Sequence, residues 1–504
     1  MIALKDRRIA VDSRRVTAGD VFVCLRGAHV DGHDYALEAA RLGASAVVSE
    51  RPLAGLPAGV ELVVVPDAHA ALSSLAAAHF GHPTRAMRCV GVTGTNGKTT
   101  TTYLVQAILQ EAGVPCGVIG TLGARFGDRS WALENTTPLA LELQELLAEV
   151  RAAGARAVAL EVSSHALALH RADDVEFDVA AVTNLTQDHL DFHGSLEAYA
   201  RAKRVLFDEL LSRSARQGER AKPPGTAVLN RDDATARAWL AGEAPWGAWQ
   251  VERTLTYGIG EWSERADVRA VDVRLGAEGS RFLLVRGADA AAVEIALPGR
   301  FNVSNALCAA ACAVALDIDV AVAARGLARA GAVPGRMTPV RVSAAPAAAP
   351  RALPTVIVDY AHTPDGLANV LDAVRPTVCG RVVAVFGAGG DRDRGKRSLM
   401  GAVVAERADD LYVTSDNPRT EDPQAILRDV LSGVESAIAR GARAEVHVEP
   451  DRAAAIRQAI EAASSDDVVV IAGKGHEEYQ IVGSERRPFS DEAVAREALE
   501  AWGR

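Results

Sequence analysis

The run Gly91-Val92-Thr93-Gly94-Thr95-Asn96-Gly97-Lys98-Thr99-Thr100 is the stretch of this 504-residue chain best suited to holding phosphate. Glycines let a turn aim its N–H groups at an anion, and a following helix adds its dipole. Lys98 can bring a cation to the β- and γ-phosphates, and the Thr99 hydroxyl can ligate Mg²⁺. The usual spacing asks for glycine five places before Gly97, where Val92 stands, so this is a shortened loop. It runs from Gly94 through Thr95, Asn96, Gly97, Lys98 and Thr99 to Thr100. Alone it admits an ATPase, a kinase, a GTPase switch or an ATP-driven ligase.

Further chemistry follows in the chain. Glu161 ends a strand-like run, ARAVALE, and is followed by Ser163, Ser164 and His165. A carboxylate there is either the magnesium partner of Thr99 or an ordinary strand-end residue. The loop Asp188-His189-Leu190-Asp191-Phe192-His193 leaves the next strand, and two His with two Asp suit metal or phosphate chemistry better than a core. Ser195 caps a helix carrying Lys203, whose spacing alone marks it as a solvated surface residue. Asp416-Asn417-Pro418-Arg419 offers an acid and a forked base side by side, the pairing needed by a ligand end bearing both an amine and a carboxylate. Read alone, it is also a turn before a helix.

These residues need strands to deliver them. Residues 1–87 alternate strand-like runs (VFVCL, SAVVS, ELVVVP) with Ala-rich helical ones. Residues 88–332 open on the strand RCVGV and include a polar surface loop at 213–225. Residues 333–504 repeat strand and helix (TVIVDYA, RVVAVFGA, DDLYVTSD, AEVHVEP, DDVVVIAGKG), interrupted by an Ala/Pro insertion at 343–354. The expected fold is α/β in three domains: a small one, a central P-loop mononucleotide-binding one and a C-terminal Rossmann-like one. Mainly parallel sheets put ligands at the strands' carboxyl ends.

Composition narrows the classes. Aromatic residues are 5% of the chain and hydrophobic ones 49%, so Ala, Val and Leu must fill the cores. With 55 Lys and Arg against 65 Asp and Glu, the formal net charge is −10, which gives no global field for gripping nucleic acid or an anionic membrane. Six scattered cysteines without a CxxC pair fit a reducing compartment. The N-terminus lacks an apolar signal core and no 18-residue apolar run occurs, so a cytoplasmic protein is expected.

The motifs GVTGTNGKTT, EVSSHAL, NLTQDHLDFHGSLEAYARAK, LPGRFNVSNALCAA, DYAHTP, GAGGDRDRGKR, DNPR and GKGHE, in this order along nearly the whole chain, resemble the Mur ligases of peptidoglycan synthesis. The resemblance implies ATP as co-substrate, Mg²⁺, and an amide bond formed through an acyl phosphate on a UDP-N-acetylmuramoyl peptide. It implies carbamylation of Lys203, with Glu161, His189 and Thr99 as its companions at the metal and Lys98 catalytic. It matches Ser13, Ala28, His29 and Val30 to UDP contacts, and Asn135, Thr136, Thr137, Ser163 and Arg171 to the rest of that substrate. Asn302, Asn305, Arg336, Asp359, His362 and Lys396 match nucleotide contacts. Arg392, Asp416, Asn417, Pro418, Arg419, Gly473 and Glu477 match an amino-acid pocket, and DNPR within the family favours meso-diaminopimelate over lysine. One departure stands out: where the family often has Gln, two residues before Arg171, this chain has Leu169. The implied partners are small molecules, and a monomer is expected. A folylpolyglutamate-type ligase is the rival inside the enzyme class, and a P-loop switch that performs no ligation is the rival outside it.

Overall fold

A computed structural model describes residues 4, 6–27, 30–212, 222–276, 279–342 and 353–502. Three sheets organise them. The first is four parallel strands in the order Ile9–Ala10, Val21–Val23, Ala46–Ser49, Glu61–Val64. The third has six strands, with Val468–Ala472 between Thr355–Asp359 and Val382–Phe386, then Asp410–Val413 and Glu445–Val448. These five are parallel, and Thr338–Pro339 adds an antiparallel edge. The second sheet has eleven strands, parallel in its middle and ending in antiparallel hairpins on both sides. Residues 213–221 of the polar loop expected at 213–225, and 343–352 of the insertion expected at 343–354, lie outside the described residues.

The central strand of the large sheet is Arg88–Thr93, paired in parallel with Val179–Val182 on one side and Ala157–Glu161 on the other. Val, Ala and Gly dominate these strands because helices cover both faces. Their carboxyl ends therefore deliver the phosphate loop, Glu161 and the Thr183-Asn184 turn to one rim of the sheet, as a parallel sheet requires of its ligand-bearing loops.

The abundance of Ala has a packing reason. Helix Arg300–Ala315 is buried along almost its whole length, with Asn302, Val303 and Asn305 to Val314 all inside. Only small side chains let a helix be surrounded this closely. Gly326, on helix Val320–Arg329, makes the same point: a Cβ there would stand 2.5 Å from Cα of Ile108 on helix Lys98–Glu111. Among the described residues no helix is long and apolar enough to cross a membrane, and Cys24, Cys89, Cys116, Cys308, Cys312 and Cys379 are all free thiols.

Candidate functional site

The phosphate loop follows the central strand and turns into helix Lys98–Glu111. Gly94 has φ +139° and a Cβ there would lie 1.9 Å from Thr183 Oγ1; Gly97 has φ +85° and a Cβ would lie 2.2 Å from Asn305 Oδ1. Both glycines are thus demanded by backbone conformation and by close neighbours. Thr183 Oγ1 donates to Asn96 O at 2.6 Å, Asn184 Nδ2 donates to the same oxygen at 3.1 Å, and Asn96 N donates to Asn184 Oδ1 at 2.9 Å. The loop is held rigid from the neighbouring strand. Lys98 Nζ folds back to donate to Gly94 O at 2.9 Å and Thr95 O at 2.8 Å. Burial lowers its pKa, against the pull of Glu161 and Asp188.

Lys203 is buried, 1% exposed, which corrects the surface position expected from spacing alone. Helix Leu196–Val205 starts at Ser195, whose Oγ accepts from Ala198 N at 3.1 Å, and its inward side carries Tyr199, Ala200, Lys203 and Arg204. Lys203 Nζ donates to Gly94 O at 2.9 Å, the same carbonyl that Lys98 uses, and sits 4.5 Å above the Tyr199 ring. Burial, with Lys98 close by, pushes its pKa well below the usual lysine range. Both influences favour the neutral amine over the ammonium.

Glu161, 1% exposed, accepts from Thr121 N at 2.9 Å and Thr121 Oγ1 at 3.0 Å. A Cβ at Gly120 would lie 2.1 Å from its Oε1. His189 has φ +53° and its Nε2 lies 3.3 Å from Asp188 Oδ2. Burial brings its pKa down to about 3, so it is a neutral imidazole at physiological pH. Among the described residues no three His, Cys, Asp or Glu side chains come together as a ready metal cage. The donor chemistry nonetheless fits Mg²⁺: carboxylate, neutral imidazole, the Thr99 hydroxyl and, on a carbamylated Lys203, a further oxygen.

The third sheet's loops close over this rim. Arg336 Nη2 donates to Thr99 Oγ1 at 3.1 Å, Asn96 Nδ2 donates to Asp365 Oδ2 at 2.9 Å, and Lys396 Nζ donates to Asp188 Oδ1 at 3.3 Å. Burial opposes charge on Asp188, but Lys396 and His189 outweigh it and hold the carboxyl below the usual range. His362, brought to about 4 by burial and Lys396, donates from Nδ1 to Tyr360 O at 2.8 Å.

Two residues expected at the nucleotide also carry structural bonds. Asp359, at the cavity wall, accepts from Met337 N and Ala361 N, each at 2.7 Å, one bond to each carboxylate oxygen. Asn302 is neither at the cavity wall nor an N-cap: Gly299 occupies the cap, and Asn302 Nδ2 donates back to Pro298 O at 2.7 Å while its Oδ1 accepts from Asn305 at 3.2 Å. Asn305 does face the cavity.

The DNPR segment follows strand Asp410–Val413 and is fastened to hairpin Tyr479–Val482/Glu485–Pro488. Arg419 N donates to Ile481 O at 3.1 Å, Ile481 N to Asn417 Oδ1 at 2.9 Å, and Gln480 Nε2 to Asp416 O at 2.7 Å. Arg419 has φ +51°, and its Nη1 donates to Gly390 O at 2.6 Å. Asn417 Nδ2 donates to Glu477 Oε2 at 3.1 Å. Gly473 is required here, because a Cβ would lie 2.5 Å from Asp416 Oδ2.

One cavity of about 1270 Å³ joins these parts. Thr95 to Thr100, Asn135, Thr136, Glu161, Ser163, Arg171, His189, Arg336, His362, Arg392, Lys396, Asp416, Asn417, Arg419, Gly473 and Glu477 all line it. Thr137, Gly94, Lys203 and Pro418 sit behind the wall. Thr137 is scaffold: its hydroxyl donates to Glu161 O at 2.8 Å and its carbonyl accepts from Arg171 Nη1 at 3.0 Å. Leu169 is the C-cap of helix Ser164–Ala168. Ser13, buried in a short turn capped by Asp12, and exposed Val30 lie away from the cavity on the first sheet's loops; Ala28 and His29 are outside the described residues. Thr121 and Lys474 are members of the site that the motifs did not single out.

Comparison with known proteins agrees with this architecture. Family models described as "Mur ligase family, catalytic domain", "Mur ligase middle domain" and "Mur ligase, glutamate ligase domain" match residues 7–80, 92–313 and 335–475. The UDP-N-acetylmuramoyl-L-alanyl-D-glutamate--2,6-diaminopimelate ligase of Geobacillus kaustophilus is 45% identical over 98% of this chain and 95% of its own. The protein of that name from Gloeobacter violaceus is 44% identical over 97% and 93%. A solved structure of a ligase of the same name is 34% identical, covering 98% of this chain and 94% of that one, with TM-score 0.64. MurF ligase from Thermotoga maritima, solved with ADP, shares the fold at 19% identity over 100% of this chain and 99% of its own, also with TM-score 0.64. Matched from its first sheet to its last, and similar at this level along nearly its whole length, the chain belongs to the Mur ligase family.

Proposed function

We propose that this chain is an ATP-dependent ligase joining meso-2,6-diaminopimelate to the D-Glu γ-carboxylate of UDP-N-acetylmuramoyl-L-alanyl-D-glutamate. The observation that carries this reading is the single cavity in which a phosphate loop, an acidic and imidazole rim, and an acid-plus-guanidinium pocket face one another. The names of the relatives that match end to end support it.

The chemistry follows from that arrangement. A carboxylate oxygen of D-Glu attacks the γ-phosphorus of ATP, and ADP leaves with the bridging oxygen's electrons. The diaminopimelate amine then adds to the acyl carbon, phosphate departs, the amide forms and the amine gives up a proton. Holding both reactants in one cavity supplies proximity, and the Lys98 ammonium answers charge growing on the transferred phosphoryl group. Glu161, His189, Thr99 and a carbamylated Lys203 would hold Mg²⁺, which when bound neutralises phosphate charge. Carbamylation itself needs the Lys203 amine neutral: its lone pair adds to the carbon of CO₂ and a proton leaves. The depressed lysine pKa supports that step.

Arg336, His362, Lys396 and Asn305 are assigned to the nucleotide. Asn135, Thr136, Ser163 and Arg171 are assigned to the UDP-linked peptide, with Ser13 and the loop at 28–30 meeting its uridine end. Asp416, Asn417, Arg419, Arg392, Gly473 and Glu477 are assigned to diaminopimelate. Residues 1–87, 88–332 and 333–504 are the corresponding domains. The unpaired cysteines support the cytoplasm as the compartment.

The test is ADP release with the UDP-dipeptide and either meso-diaminopimelate, L-lysine or neither. Release should require both the UDP-dipeptide and diaminopimelate. Release independent of both substrates refutes ligation, and a preference for lysine refutes the DNPR assignment.

A further inference from the structure

Lys474 sits between two glycines in the GKGHE turn and is fully buried, 0% exposed, behind the amino-acid end of the cavity. Its Nζ donates to Asn417 Oδ1 at 2.9 Å, to Tyr479 O at 2.7 Å and to Glu477 Oε2 at 3.4 Å, which uses all three ammonium protons. Asp416 Oδ1 is 3.8 Å away. Asn417 Oδ1 also accepts from Ile481 N, so the amide has one workable orientation, with Nδ2 toward Glu477.

From this geometry we infer that Lys474 is a positioning residue for amino-acid specificity: its ammonium locks the Asn417 amide and keeps Asp416 and Glu477 together as a doubly acidic receptor for a substrate ammonium group. The inference rests on the diaminopimelate reading above. It concerns a side chain that does not line the cavity and so acts through its neighbours.

Two carboxylates drawn into one poorly solvated pocket do not both stay ionised without a cation beside them. The charged and titratable groups around Glu477 are Lys474, Asp416, Tyr360, Tyr479, Arg419 and Arg452. Arg452 is committed to Asp491, and Arg419 donates to Gly390 O. Among the described residues Lys474 is the cation bonded to Glu477. Burial raises the Glu477 carboxyl, and Lys474 is the largest influence lowering it. Without that ammonium the first proton would settle on Glu477, and the receptor would lose a charge and the Asn417 orientation together.

Lys474→Met removes the charge at similar length. Lys474→Gln keeps an amide donor for Asn417 Oδ1 or Tyr479 O and carries the test if the Met variant does not fold. ADP release would be measured with each substrate varied in turn. The KM for diaminopimelate should rise on the order of 10- to 100-fold, the loss typical of a charge-assisted contact set. The KM values for ATP and the UDP-dipeptide, and kcat, should stay within about threefold. The acid limb of kcat/KM for diaminopimelate should move to higher pH. An unchanged diaminopimelate KM, an equal rise in all three KM values, or an unmoved acid limb would overturn the inference. A wild-type protein that releases ADP without diaminopimelate would instead overturn the reading beneath it.

Discussion

Arg452 and Asp491 form an ion pair in which both side chains are 0% exposed. Arg452, the first residue of helix Arg452–Ala462, donates from Nε to Asp491 Oδ1 at 2.7 Å and from Nη2 to Asp491 Oδ2 at 2.8 Å. Its remaining donors reach Ala472 O at 3.0 Å and Ser415 O at 3.4 Å. One guanidinium thus pins the start of helix Asp491–Trp502, the end of strand Val468–Ala472 and the residue preceding Asp416. Arg452→Met removes the cation and leaves Asp491 buried with no counter-charge. Breaking a buried pair from one side costs about 3–5 kcal/mol, because the abandoned charge keeps its desolvation penalty. At about 1.4 kcal/mol per tenfold, amide exchange in strand Val468–Ala472 should accelerate by between two and nearly four powers of ten, if that strand opens with the third sheet.

The companion Arg452→Met/Asp491→Leu removes both charges. Replacing a whole buried pair by apolar side chains is often neutral or stabilising, so the double variant should recover most of the loss. Hydrogen exchange read by mass spectrometry, with urea unfolding alongside, separates the cases. A single variant that loses less than about 1 kcal/mol, or a double variant no better than the single, would refute the argument that the pair's value lies in mutual neutralisation. Because Ser415 O and Ala472 O lose a donor in both variants, the double should still bind diaminopimelate less tightly than the wild type.

Lys203→Ala should abolish ADP release, with partial return when short carboxylic acids are supplied; no rescue in a folded variant would count against carbamylation. Arg419→Lys keeps the charge but loses the planar fork, so the diaminopimelate KM should rise by about 10-fold or more with the ATP KM unchanged; equal KM values would remove Arg419 from the carboxylate contact. His362 and His476 are both brought to about 4 by burial, from an ordinary 6.5. The unfolded chain therefore binds their protons first as pH falls, and stability should decline from about pH 6.5 toward pH 4. Urea midpoints measured across that range check it, and His362→Asn should flatten the slope.

What the sequence disclosed, and what it withheld, divides along physical lines. The phosphate loop was readable because a backbone that must turn with positive φ and admit neighbours at contact distance writes glycine at Gly94 and Gly97. The alternating strands were readable because a sheet covered on both faces demands unbroken β-branched and small residues. Lys203 was misread from spacing because periodicity counts lysine as outward, whereas Tyr199 and Lys203, four residues apart, share the inward side of their helix.

Asn302 was ambiguous for a related reason: an Asn near a helix start serves as cap, ligand or back-bonded core residue, and only the carbonyl of Pro298 decides which. Asp188 was legible only as part of a polar loop, and Lys474 escaped, because a buried charge acquires meaning from its partner, Lys396 being 208 residues from the first and Asn417 57 residues from the second. That dependence also explains how a chain of net charge −10 can gather anionic ligands. Lys98, Arg171, Arg336, Arg392, Lys396 and Arg419 come from loops on two sheets and converge on one cavity. Their summed field depends on the third sheet's loops facing the phosphate loop, where Arg336 reaches Thr99 and Lys396 reaches Asp188, so a cation far away in the chain acts on phosphate only through that packing.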